Sequence, residues 1–417
     1  NKLTMKKLLL ILFLLPMIGF GQGWSTTFGG GCSDQGISIQ QTLDGGYIIG
    51  GEYCIVPHKF GLLLKTDQDG NTEWHHILGG SGKNIIYSVQ QTNDFGYIVT
   101  GYTKSYGISR NVWLMKFSNI GDSLWHKTFD YNFYDLGREV QQTTDGGYII
   151  AGAQSDSLYS VNSGLLIKTD LNGNIEWDQT LINTNGIGPL TSVKQTSTGD
   201  YICFGGGLIK IDQIGNEIWR EDNVSGNSVV ESIDGGYITA GSMIYSLSPP
   251  EYHIRLNKFD QQGNSLWYNI ILGDSNLMNT PIQISNTDDG GYIIVGYRGS
   301  NSMDLWLIKI DADGNKLWDR TYGGGALDLG QSVQQTNDGG YIITGKTHSF
   351  GLNGDVWIIK TDQQGDITTT FNIPTPNSNK ELLKITDLLG RETKGTKNEV
   401  LFYIYDDGTV EKRIVIE

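Results

Sequence analysis

The segment Gln-Gln-Thr-x-Asp-Gly-Gly-Tyr-Ile-Ile-x-Gly recurs along the chain, with its tyrosine at Tyr47, Tyr97, Tyr148, Tyr201, Tyr237, Tyr292 and Tyr341. After each copy an apolar run leads towards Lys-Thr-Asp-x-x-Gly-Asn-x-x-Trp, whose tryptophans are Trp74, Trp125, Trp177, Trp219, Trp267 and Trp318. Trp24 stands one unit ahead of the first. The tyrosines follow one another at intervals of 50, 51, 53, 36, 55 and 49 residues. A period of that size, made of short apolar runs and glycine turns, belongs to repeat architectures in which a unit buries its faces only against its neighbours.

The unit around Tyr148 reads as four strands, at residues 138–143, 148–152, 164–169 and 174–181. Asp145-Gly146-Gly147 joins the first pair as a tight turn whose glycines accept positive φ. Asp170-Leu171-Asn172-Gly173-Asn174 joins the last pair and suits a type I turn closed by a glycine bulge. Eight residues before each tyrosine stands Ile39, Val89, Val140, Val193, Val229, Ile284 or Val333, a β-branched position fit for a strand facing another sheet. Four antiparallel strands repeated seven times predict an all-β fold, a seven-bladed β-propeller. The phase of the repeat leaves a lone fourth-strand segment at residues 24–28, while Thr369 takes the tryptophan's place in the last copy. The N-terminal segment is therefore expected to complete the seventh blade and close the ring, leaving no seam.

The chain of 417 residues carries 30 Lys+Arg against 45 Asp+Glu, a formal charge of −15. Phosphate backbones and anionic bilayers repel such a chain, so nucleic acid is not an expected partner. Lys6 and Lys7 precede an apolar run over residues 8–20 that is too short to span a bilayer as a helix. With small residues before Gln22, residues 1–21 read as a secretory signal, and no integral membrane protein is expected. In an oxidising compartment Cys32 and Cys54 are candidates for a disulfide, and Cys203 lies in an expected core strand.

The Asp-x-x-Gly-Asn-x-x-Trp corner resembles the tryptophan-docking motif of quinoprotein dehydrogenases, in which tryptophans pack between adjacent blades. The turn here is one residue shorter, and the adjacent cysteine pair of many of those enzymes is missing, so no quinone or other cofactor is carried over. Kelch repeats also use a glycine pair, but after the apolar strand rather than before it. The full unit resembles the uncharacterised propeller repeats of secreted bacterial proteins, over about residues 24–371. Residues 373–380, rich in proline and polar side chains, read as a linker that ends the propeller at 372. Residues 381–417 resemble the C-terminal sorting domain of the type IX secretion system of Bacteroidetes. The matching elements are Asp387-Leu388-Leu389-Gly390-Arg391-Glu392 and the closing Lys412-Arg413-Ile414-Val415-Ile416. That resemblance implies the secretion machinery as a partner and a secreted or outer-membrane-surface location; the other reading of the tail is a small β-hairpin turning at Asp406-Asp407-Gly408.

Motifs of chemistry are sparse. Asp67, Asp170, Asp212, Asp260, Asp311 and Asp362 recur in a turn that lacks the closing glutamate of an EF-type calcium loop, and aspartates bonding their own backbone explain them all. His75 and His126 share a register without an accompanying carboxylate or cysteine, so no metal is expected. No nucleophile elbow or phosphate loop occurs. Topology is more informative. The first-to-second and third-to-fourth turns, nearly invariant here, lie on one face of the disc, and the variable loops lie on the other, where a rigid scaffold carries binding sites. The candidate binding residues on that face are Tyr102, Tyr106, Arg110, Tyr131, Tyr134, Tyr252, His253, Tyr297, Arg298 and His348. Aromatics among hydroxyls and amides suit stacking on sugars or gripping a peptide, so the expected ligand is a glycan or a protein. Packing of the loops' own aromatics is the bland alternative. Catalysis by variable-face carboxylates, with Asp34, Asp135 and Asp328 the ones to inspect, and a structural surface role are the other readings.

Overall fold

The computed structural model of the chain describes residues 23–105, 109–131, 133–155, 163–181, 188–222, 224, 226–247, 250–273, 277–300, 302–351, 353–367, 382–386, 393, 400–405 and 410–414. The expected leader at 1–21, Tyr106, Thr369, the linker at 373–380 and the Asp387–Glu392 run lie outside them. The chain divides into two units, residues 1–368 and 369–417. The second contains a three-stranded antiparallel sheet, with Val400–Tyr405 between Leu382–Thr386 and Val410–Ile414. It thus has one strand more than the expected hairpin.

The first unit is a seven-bladed β-propeller of seven four-stranded antiparallel sheets. Blade 3 is representative, with strands Tyr134–Gln142, Tyr148–Ser155, Ser163–Thr169 and Ile175–Leu181. Its first strand begins four residues earlier than the pattern predicts, because a bulge at Arg138 interrupts the apolar alternation. The same irregularity falls at Ile37, Tyr87, Ile282 and Gln331 in blades 1, 2, 6 and 7.

Ring closure follows the expectation. Trp24–Phe28 pairs antiparallel with Asp355–Thr361 as the outer strand of blade 7, Trp24 lying opposite Lys360 and Phe28 opposite Val356. Trp24 then reaches blade 1, with its indole N–H donating to the Gln68 carbonyl at 3.2 Å and its ring 5.8 Å from that of Tyr47. The two marker residues of the repeat meet the same way elsewhere, in Trp74–Tyr97, Trp125–Tyr148, Trp177–Tyr201, Trp219–Tyr237 and Trp318–Tyr341, all at 5.7–6.0 Å. Edge-to-face aromatic pairs contribute about 1 kcal/mol each beyond the area they bury.

The glutamine pair of the repeat is a second fastening between blades. Gln40 Oε1 accepts from Gln91 N at 2.6 Å, Gln90 from Gln142 at 2.6 Å, Gln141 from Gln195 at 2.7 Å and Gln334 from Gln41 at 2.7 Å. The following glutamine accepts from the previous blade's turn, as in Leu43 N to Gln91 Oε1 at 2.9 Å and Asn337 N to Gln41 Oε1 at 2.9 Å. Within each blade the repeat lysine is buried and ion-paired to a turn aspartate, for example Lys168 Nζ to Asp145 at 2.8 Å and Lys360 Nζ to Asp338 at 2.8 Å. The glutamines of the motif thus satisfy backbone groups of the neighbouring blade, and its aspartate neutralises a lysine that would otherwise be buried alone.

Candidate functional site

The two faces differ as their loops do. The Thr-x-Asp-Gly-Gly turns repeat one hydrogen-bond pattern, with the threonine N–H donating to the second glycine's carbonyl at 2.9 Å in blades 1, 3 and 7. In the Asp-x-x-Gly-Asn turns the aspartate accepts from the backbone two and four residues on, at 2.9 and 2.8 Å for Asp67. Those carboxylates are occupied by their own turns. On the opposite face the second-to-third connection is Val56-Pro57 in blade 1, Gly205-Gly206 in blade 4 and residues 104–110 in blade 2.

The first strands of all seven blades line the central channel. Ten residues before the seven tyrosines stand Ile37, Tyr87, Arg138, Thr191, Asn227, Ile282 and Gln331, and all of them wall a cavity of about 300 Å³. The next position is serine in five blades and structural: Ser38 Oγ accepts from Val89 N at 3.2 Å, Ser88 from Val140 at 3.2 Å and Ser332 from Ile39 at 3.3 Å. Glu139 takes the place of serine in blade 3, accepting from Val193 N at 2.7 Å and pairing with Lys194. A girdle of inter-blade hydrogen bonds therefore holds seven side chains of six different kinds around one opening.

Cations and rings collect at the blade 2–blade 3 side of that opening. The Arg138 guanidinium lies 4.6 Å from the Tyr87 ring centre, and Tyr87 lies 6.0 Å from Tyr102. The Arg110 guanidinium lies 4.7 Å from the Tyr102 ring and 4.4 Å from the Tyr134 ring, and Lys104 Nζ is 5.8 Å from Tyr134. The backbone fixes Arg110, whose carbonyl accepts from Asp135 N at 2.9 Å. Burial pushes the Tyr87 hydroxyl above its usual range, against the pull of Arg138 and Arg110. Burial raises Tyr102 as well, so both rings stay neutral platforms.

Three of the expected site residues, Tyr102, Arg110 and Tyr134, are thus brought together. Tyr102 serves from beneath: it is 1% exposed, and Arg110 covers it. Tyr131 is half-buried against the blade 3 core. Tyr252 and His253 sit in blade 5; the Tyr252 carbonyl accepts from Asn279 Nδ2 at 2.8 Å, and His253 is buried with Nδ1 accepting from Gly273 N at 3.3 Å. In blade 6 Arg298 stacks 5.1 Å over Trp306 and pairs with Asp319, and Tyr297 is half-buried beside it. His348, in blade 7, is held at the Leu327 carbonyl. These do not converge with the first three.

Tyr87, Lys104, Arg138 and Glu139 were not expected. The signal for three of them was present as the non-repeating residues at otherwise regular inner-strand positions. Asp34, Asp135 and Asp328 are fully buried and reach back four residues, accepting from Gly30 N at 2.7 Å, Tyr131 N at 2.7 Å and Gly324 N at 2.9 Å. They brace their connections. His75 and His126 are exposed on outer strands. Cys32 and Cys54 form a disulfide that ties the first connection to blade 1, while Cys203 is a buried thiol that burial pushes far up.

No protein-family model and no curated protein matches the chain. Among solved structures it is similar to Sqt1 from Chaetomium thermophilum, with a TM-score of 0.50 at 12% identity over 92% of this chain and 97% of that one. It is also similar to YCF48 bound to D1 peptide, with a TM-score of 0.49 at 10% identity over 84% of this chain and 98% of that one. A third similar structure is the extracellular domain of a hybrid two component system from B. thetaiotaomicron, with a TM-score of 0.47 at 14% identity over 91% of this chain. The match spans 46% of that domain. At 12% identity the likeness to Sqt1 shows the fold alone.

Proposed function

We propose that the chain is an exported binding module that holds a protein ligand at the channel mouth on its variable face. The observation that carries this reading is the ring of seven residues of six different kinds, from Ile37 round to Gln331, on a girdle of repeated hydrogen bonds. Side chains that differ at equivalent places on a rigid frame serve recognition rather than folding. A protein is favoured over a glycan because sugar stacking needs open ring faces. Tyr102 is buried, and guanidiniums cover faces of Tyr87 and Tyr134. The one carboxylate among the described residues of the cavity wall, Glu139, is engaged by Lys194, which weighs against the hydrolase reading.

Export rests on separate features. Residues 1–21 are proposed as a cleaved leader and 381–417 as a type IX sorting tail beyond the linker at 373–380. The Cys32–Cys54 disulfide supports an oxidising destination, and the surface or medium outside the outer membrane is the proposed location. The test is a selection of random displayed peptides on the purified protein, alongside retention and release of a polysaccharide panel. Peptides whose binding is lost in Gln331→Ala or Asn227→Ala support the reading. Retention of a polysaccharide with no peptide selected moves the ligand to a glycan, and released reducing ends move it to an enzyme.

A further inference from the structure

We infer that the blade 2–blade 3 side of the channel mouth is a carboxylate-binding subsite that takes an acidic peptide segment, with Arg138 and Arg110 as its anchors. The inference rests on the binding-module reading and names the ligand's chemistry. In a chain with 45 Asp+Glu, three of the six arginines with described side chains find an acid: Arg220 pairs with Glu217, Arg298 with Asp319 and Arg320 with Asp366. Arg110 and Arg138 do not: among the described residues neither has a carboxylate partner, and the Nε of each is buried without a hydrogen bond. Arg255, by itself in blade 5 over the Tyr268 ring, is the third such arginine, and only Arg110 and Arg138 lie together at the channel mouth. The Arg110 and Arg138 guanidiniums instead lie over tyrosine rings, 4.4–4.7 Å from the ring centres, which hold them in place and supply no net charge. A fixed, partly desolvated guanidinium with spare donors is matched by a carboxylate taken in bidentate fashion.

Nearby acids do not fill the role. Glu139 is taken by Lys194, Glu52 by Lys59 at 2.8 Å, and Asp135 is buried under its own connection. Two tyrosine rings separate the anchors, so a ligand that uses both must present more than one carboxylate along an extended stretch. The remainder of the wall supplies amides and hydroxyls at Thr191, Asn227 and Gln331, which suit a peptide backbone, and apolar side chains at Ile37 and Ile282. A polyuronate would satisfy the arginines but would leave that part of the wall unused.

The test uses the purified full chain and fluorescently labelled hexaglutamate, hexaglutamine and oligogalacturonate, read by anisotropy at low and at moderate ionic strength. Hexaglutamate is expected to bind and hexaglutamine not to. Arg110→Gln and Arg138→Gln are each expected to weaken hexaglutamate about tenfold or more. Glu139→Gln is expected to strengthen it several-fold, since it removes a negative charge beside Arg138 and frees Lys194. Glutamine can keep the inter-blade bond, as Gln283 does in blade 6 by accepting from Val333 N at 2.8 Å. That gain cannot come from a misfolded variant. Unchanged affinity in the arginine variants, no gain in Glu139→Gln, or binding of oligogalacturonate in place of hexaglutamate overturns the inference. If selection yields neutral or basic peptides at the mouth and no acidic ones, this inference falls and the binding-module reading stands. If no peptide of any charge binds, both fall.

Discussion

The glycine pair of the first turn does two different jobs. In blade 3 Gly146 has φ of 87°, with open space where a side chain would stand. Gly147 has an ordinary φ, but a Cβ there would collide with the Thr169 carbonyl and lie 2.7 Å from the buried Lys168 Nζ. Two blades depart from the pair, one at each position. Blade 2 places Phe95 at the first position, with φ of 65° and the ring 56% exposed. Blade 4 places Asp200 at the second and Thr198 at the usual aspartate position; its Lys210 accordingly pairs with Asp200, at 3.3 Å. Phe95→Gly is therefore expected to stabilise the protein by about 1 kcal/mol, by relieving a left-handed residue. Gly147→Ala is expected to cost about 2 kcal/mol or more through overpacking, against about 1 kcal/mol for Gly146→Ala. Urea unfolding of the three variants beside the parent checks the order.

At the scale of the element, the strand that closes the ring is short and depends on its neighbours. Trp24–Phe28 contributes five register pairs to blade 7, and the Trp24 ring packs against Gly70 and Tyr47 of blade 1. The same tryptophan-to-glycine docking recurs at Gly173 with Trp125 and at Gly263 with Trp219, so the corner that resembles a docking motif docks here too. Deleting residues 24–28 would leave Asp355–Thr361 as an open apolar edge. The thermal midpoint is expected to fall by about 10 °C or more, with concentration-dependent association in light scattering. An unchanged midpoint would mean that the ring does not depend on this strand. Blade 4, whose second strand Tyr201–Phe204 has only four residues, shows how far a blade can shrink on the variable face while its inner hydrogen bonds to the neighbours persist.

Across the whole molecule, charge and stability are linked through the turn aspartates. In blade 5, burial alone would push Asp234 up. Hydrogen bonds from Lys258, Ser232 and the Gly236 N–H outweigh it and hold the carboxyl at about 2, below its ordinary 3.8. Asp44, Asp94, Asp145, Asp289 and Asp338 are lowered by the same set of donors. The unfolded chain therefore takes up protons first as pH falls. The stabilisation is complete above about pH 4 and lost progressively towards pH 2. Asp234→Asn is expected to cost about 1–2 kcal/mol at neutral pH, since it leaves Lys258 buried with one partner fewer while solvent screens the exposed side. It should also flatten the acid limb of the unfolding midpoint against pH.

The sequence by itself determined the blade count, the strand order, the closing strand and the face on which loops vary. Each of these follows from spacing, from glycine and proline chemistry and from the phase of Trp24 against Tyr47, which a linear reading can measure. It did not show why the glutamines recur in pairs, because Gln40 and Gln91 are 51 residues apart and meet only across a blade interface. Nor did it separate Tyr102, Arg110 and Tyr134 from the other loop candidates, or add Tyr87 and Arg138 to them. A side chain's neighbours within one blade follow from strand register, but its neighbours across two blades follow from the curvature of the closed ring. The tertiary structure alone brings Arg138 of blade 3 onto Tyr87 of blade 2, and with them two guanidiniums that have no carboxylate partner among the described residues.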